Sequence, residues 1–271
     1  PTPLGAAPVS LDAYDDPRKA LTDWMSEPDN PFFAKALVNR YWKHFFGRGL
    51  VDPEDDMRVT NPACNPKLLD ALAADFVDSG FNLKALVRRI CTSETYALSA
   101  IPNEYNQKDK QNFSRFYPRR LNAEVLLDSI DRLTNMPTQF GGIAKGTRAV
   151  QLPDNAFDSY FLTVFGRPNS ASACECERSS DVNLAQCLHL LNSEEVQKKV
   201  SGTRAQELAK DTRDLRMRVT DLYLTAFSRH ATAEEMEIAV QYVTDRQEEP
   251  QQAFEDILWA LMNTKEFVFN H

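Results

Sequence analysis

What most limits the folds open to this chain is a start signal that recurs along it: a helix-capping side chain set directly before proline or an apolar run. Asp16-Pro17, Asn30-Pro31 and Asn65-Pro66 each place a capping oxygen ahead of a proline at the first helical position, where its missing N–H costs nothing. The runs behind these signals repeat at helical spacing. Asp16-Pro17 predicts a short helix to about Met25. The second run carries Phe33, Leu37, Val38, Tyr41, Trp42 and Phe45 and stops at Gly47. The third carries Leu68, Leu69, Leu72, Ala73 and Phe76 up to Gly80. Asn82 opens a fourth helix with Leu83, Leu86, Val87 and Ile90 inward. A fifth, from about Asn122 to Leu133, buries Leu126, Leu127, Ile130 and Leu133. Helices resume near Asp181 and continue to the end. Thr232 with Glu235 reads as a capping box, and Pro250 starts a last helix on the stripe Phe254, Ile257, Leu258, Leu261, Met262. These signals predict an all-α, multi-helix domain over 17–271 behind an extended lead over 1–16.

One stretch departs from this pattern. From Met136 to Ser180 the chain carries Gly141-Gly142, Gly146, Pro153, Gly166 and Pro168, and helical periodicity is lost outside Ser159–Val164. Its aromatics Phe140, Phe157, Tyr160, Phe161 and Phe165 need something to pack on, so it reads as one long ordered irregular insertion across the helical body.

Composition excludes several classes. With 16 Phe, 8 Tyr and 3 Trp in 271 residues, the chain can offset its ordering entropy and is not intrinsically disordered. Nine Gly against 15 Pro argue against turn-rich barrels and glycine-rich phosphate loops. A net charge of −8 disfavours broad nucleic-acid affinity, which needs a positive field. No run approaches the ~20 apolar residues of a membrane span. No signal peptide opens the chain, and it begins at Pro1, so it reads as an excised part of a longer polypeptide. Five cysteines, an odd number, do not describe a disulfide scaffold and leave the redox compartment open.

The residues that could carry chemistry fall into four groups. In Cys174-Glu175-Cys176-Glu177-Arg178, two thiols with interleaved carboxylates could hold a soft metal or form a redox pair. The nearest further donors, Cys187 and His189, sit about 200° apart on a helix and cannot face one ion. Cys187 also lies in the stripe Leu184, Cys187, Leu188, Leu191, which makes it a small core residue. A disulfide from Cys174 or Cys176 to Cys64 or Cys91 and two simply buried thiols remain equal readings. Glu175 and Glu177 could form an acid–base pair, although ion pairing with Arg119, Arg120 or Arg178 is the favoured reading. Arg40 and His44, four apart on the aromatic helix, could line a cleft; a helix–helix contact with one hydrogen-bonded histidine is the favoured reading. Asp52, Glu54, Asp55 and Asp56 cluster in a loop as calcium candidates, or Asp56 pairs with Arg58. Finally, Glu124 and Asp128 follow Arg119-Arg120 on one helical face and read as a polar network locking that helix to the long insertion. No G-x-S-x-G, H-E-x-x-H or serine triad is present.

Several strings resemble a planctomycete-type (PSD) C-terminal domain family of unknown function. They are NPFFAKALVNRYWKHFFGRGLVDPEDDM (Asn30–Met57), NPKLLDALAADFVDSGFNLKALVRRICTSETY (Asn65–Tyr96), RRLNAEVLLDSIDRLT (Arg119–Thr134), FGRPNSASACECERSSDVNLAQCLHLLNS (Phe165–Ser193) and the closing LWALMNTKEFVFNH. The resemblance implies a place in large exported proteins, behind a cytochrome c-like domain and a second uncharacterised one, and hence a periplasmic or cell-surface location. It brings no established activity, and without C-x-x-C-H this chain holds no c-type haem itself.

The expectation is a non-catalytic binding or assembly domain whose partners are other domains of its polypeptide, the cytochrome c-like one among them, or a cell-surface polysaccharide. No cofactor is expected, with calcium as the one candidate, and no nucleic acid or membrane span. Two alternatives stand beside it, and whether the chain is an enzyme stays open. One is a hydrolase or lyase on a carbohydrate-like substrate, with Glu175, Glu177 and His44 catalytic and Arg40, Arg119, Arg120 and Arg178 binding. The other is a redox accessory acting through Cys174 and Cys176. Any site is expected where the Glu175–Arg178 segment meets the helices of Arg40/His44 and Arg119/Arg120.

Overall fold

The structure, a computed structural model, describes residues 2, 7–12, 14–154, 156–168 and 183–270. The chain is 53% helix and 2% strand, the all-α architecture that the caps and stripes predict. Before Pro17 the described residues form neither helix nor strand. The sequence signals placed no boundary within 17–271; the chain packs as two compact units, residues 1–118 and 119–270.

The first unit holds α1 (Pro17–Ser26), α2 (Phe33–Phe46), α3 (Pro66–Asp78) and α4 (Leu83–Cys91). The Asn65 and Asn82 side chains accept from the backbone N–H three residues on, the capping read from the sequence. Asn30 caps a preliminary turn by accepting from Phe32 and Phe33, so α2 becomes regular at Phe33 and ends at left-handed Gly47. Its core is aromatic: Trp42 stacks on Phe46 at 4.2 Å, and Phe113 meets Trp42 edge-on at 5.4 Å. Asn39 is fully buried, and its amide both donates to the Val51 carbonyl and accepts from the Val51 N–H, at 2.9 and 3.0 Å. This clamp draws the chain so close that a Cβ on Gly49 would lie 2.2 Å from the Val51 oxygen, so only glycine fits.

The second unit is built around α5 (Ala123–Thr134), whose Leu126, Leu127, Ile130 and Leu133 are completely buried. Around it lie α6 (Tyr160–Val164), α7 (Leu184–Asn192), α8 (Glu194–Val200), α9 (Thr203–Lys210), α10 (Leu215–Phe227), α11 (Ala233–Thr244), α12 (Pro250–Met262) and α13 (Lys265–Val268). The Thr232–Glu235 capping box opens α11 as expected. Two short strands, β1 (Arg119–Arg120) and β2 (Phe269–Asn270), pair antiparallel with Arg120 opposite Phe269, tying the start of this unit to its end.

The long insertion is ordered and packed across its described part. Phe140, Phe161 and Phe165 are buried in the core around α5, whereas Tyr160 points out. The polar face of α5 holds the insertion in place. Asp128 accepts from the Ala149 and Val150 N–H groups at 2.6 and 3.3 Å. Asp131 accepts from the Thr138 N–H at 2.7 Å, and the buried Lys199 ammonium bridges Asp131, Met136 O and Thr138 Oγ1. Asp128 plays the locking role read from the sequence; Asp131 and Lys199 were not singled out there.

Candidate functional site

A cleft of about 250 Å³ opens in the second unit where three distant stretches meet. The β1–β2 pairing brings Arg120 beside Phe269. The end of α6 delivers Phe165, stacked 4.4 Å from Phe161, and Arg120 both donates to the Phe165 carbonyl at 3.0 Å and lies 5.5 Å over its ring. Helix α7 adds Cys187, Leu190 and Leu191, and the turn into α13 adds Thr264, Lys265 and Val268. These stretches come from the strings RRLNAE, FGRP…LLNS and LWALMNTKEFVFNH, singled out in the sequence for other reasons.

The walls are mainly carbon, and several polar neutral groups on them are already engaged. Gln186 Nε2 donates to the Val164 carbonyl, Asn263 Nδ2 to Trp259 O, and Thr264 Oγ1 to Leu261 O while accepting from Phe267 N–H. Arg120 and Lys265 are the charged side chains on the walls, and no carboxylate lines the cleft among the described residues. Such a surface can grip a ligand. Among the described residues it presents no acid–base pair.

Helix α7 overturns one reading of the sequence. Its stripe Leu184, Cys187, Leu188, Leu191 was expected to be core, with Cys187 as a small buried residue. Instead all four are exposed, Leu184 at 72%, while Gln186, His189 and Leu190 face inward. The physical reason lies in what the interior offers. Asn183 and Gln186 form a capping box, and Val164 O takes the Gln186 amide, so this polar side chain is satisfied when buried. The His189 ring sits 5.4 Å from both Tyr160 and Phe161 and 6.2 Å from Phe165. Burial pulls its pKa below the ordinary value, against the opposing pull of Glu195, whose Oε2 stands 3.7 Å from Nε2, beyond hydrogen-bond reach.

Arg40 and His44 belong to the first unit, Arg119 and Arg120 to the second. Cys174, Glu175, Cys176, Glu177 and Arg178 lie outside the described residues. Arg40 is exposed and pairs with Asp55; His44 is exposed with its ring edge-on to Phe45 at 5.1 Å. The basic residues in and after α2 meet the acidic loop: Lys43 with Glu54, Arg48 with Asp52. Arg58 takes Asp56. The Lys43 ammonium and the Arg58 guanidinium hold the Glu54 and Asp56 carboxyls below their usual range. Each calcium candidate therefore faces a cation, and among the described residues no group of three His, Cys, Asp or Glu side chains could hold a metal. Cys64, Cys91 and Cys187 are free thiols, and burial raises the pKa of Cys64 and Cys91. No helix among the described residues is long and apolar enough to cross a membrane.

Sequence reasoning missed the cleft because its polar signals are spread over more than a hundred positions; the one signal that reached it was Arg120. No curated protein and no solved structure matches the chain. A family profile does, over residues 17–243, which covers most of the chain and leaves the closing string outside the matched span. By that match the chain belongs to the PSD1 family, described as a protein of unknown function (DUF1553).

Proposed function

We propose that this chain is a non-catalytic assembly domain of an exported multidomain protein, and that the outward apolar face of α7 is the surface on which a neighbouring domain of the same polypeptide docks. The observation that carries this reading is the inverted helix. Four apolar side chains at helical spacing lie in solvent while a histidine and a glutamine are buried beneath them. Exposing such a stripe is unfavourable unless something covers it. The helix sequence LAQCLHLLN contains no Asp, Glu, Lys or Arg, so a neighbour of either charge can approach it. Covalent linkage raises the neighbour's effective concentration to the order of millimolar, enough for a small apolar contact to stay closed. The resemblance supplies the identity of the neighbour: the cytochrome c-like domain or the second domain of the family's large exported members.

Amide hydrogen exchange tests this. Across residues 184–192 it should slow markedly in the longer polypeptide compared with this chain alone, and the Leu184→Asp/Leu188→Asp variant should restore the faster rate. Equal exchange in the two contexts would remove the reading.

A further inference from the structure

We infer that the cleft between β1, α7 and the turn into α13 is a binding site for a small amphiphilic anion, an apolar body ending in a carboxylate or comparable acidic head. The apolar part is set by Phe165, Leu190, Leu191 and Val268, which leave about 250 Å³ of mainly carbon-walled space. That is slightly below the usual range for drug-sized ligands, so it suits a short chain or a single ring. The charge selects the head group. The chain carries 39 acidic against 31 basic residues, yet the charged side chains on this cleft are Arg120 and Lys265 and none is acidic among the described residues. Lys265 is exposed and makes no ion pair among the described residues, and its flexible stem lets the ammonium reach a head group at the rim. A cation would meet like charge there, and a neutral amphiphile would gain nothing from it.

The site goes beyond the docking surface proposed above, and the two fail separately: the docking test changes Leu184 and Leu188, which do not line the cleft. Sodium octanoate, titrated into methyl-labelled protein and followed by NMR, is the probe. The Leu190, Leu191 and Val268 methyls should shift and saturate, with affinity falling about fourfold per methylene removed on going to hexanoate. Lys265→Glu should weaken binding at least about tenfold, the loss of one favourable charge contact, and Leu191→Trp, which fills the cleft from a partly exposed position, should abolish it. Octylammonium chloride, with the same tail and opposite charge, should bind at least tenfold more weakly, by the same charge contact reversed. Equal binding of the two amphiphiles, indifference to Lys265→Glu, or shifts centred on Leu184 and Leu188 would each overturn the assignment.

Discussion

Helices α5 and α7 stand in the same compact unit and carry similar apolar stripes, yet they face opposite ways. In α5 the stripe Leu126, Leu127, Ile130, Leu133 is completely buried, and the acids beside it, Asp128 and Asp131, reach out to hold the insertion. In α7 the stripe is outside and the polar residues are inside. A stripe reports which face of a helix is apolar; which face is buried depends on the partners the surroundings supply. For α7 those partners are the Val164 carbonyl and an aromatic wall built from α6. The carbonyl satisfies the Gln186 amide, which would otherwise cost about 1–3 kcal/mol without a partner, whereas the aromatic wall packs the His189 ring, whose Nε2 stays without a hydrogen bond among the described residues.

The contrast can be strained from several sides. Lys199→Ala should have the largest effect, about 3–5 kcal/mol, because it leaves Asp131 nearly buried without its cation. Chemical denaturation would measure it, and a loss under 1 kcal/mol would mean that α5 does not hold the insertion through this pair. Leu127→Ala should cost about 2–5 kcal/mol by opening a cavity at a completely buried site. Next comes pH. His189 is kept neutral by burial, so its folded pKa lies below the ordinary 6.5. The unfolded chain takes up that proton first, so stability is full above about 6.5 and declines as pH falls below it. Thermal melts from pH 7.5 to 5 should show the decline, and His189→Gln should flatten that window. The smallest effect should come from Leu188→Ser, within about 0.5 kcal/mol, since this leucine is half exposed. A loss comparable to that of Leu127→Ala would place Leu188 in the core and end the contrast.

The same comparison shows what the sequence makes legible. The helix starts at Asn65, Asn82 and Thr232 were readable because a capping side chain stands directly ahead of the apolar period, and those at Asn122 and Pro250 from the period and the first-turn residues without a side-chain cap. The division after Pro118, the Asn39 clamp on Val51 and the Lys199–Asp131 pair were not, since each joins groups that no local pattern relates. Of the candidate site, Arg120 was legible as a cation near aromatic residues. Its meeting with Lys265 was not, because it depends on the strand pairing of Arg120 with Phe269.

The orientation of α7 is the central claim, and thiol alkylation reads it directly. In this chain alone, Cys187 is exposed on the outer stripe, whereas Leu190 is 7% exposed on the inner face. Brief treatment with N-ethylmaleimide followed by peptide mass spectrometry should label Cys187 rapidly. A Cys187→Ala/Leu190→Cys variant should label at its new thiol at least about tenfold more slowly, since reaction there requires the inner face to open. The opposite order, with Cys187 protected and position 190 reactive, would turn the stripe back into the core and contradict the account.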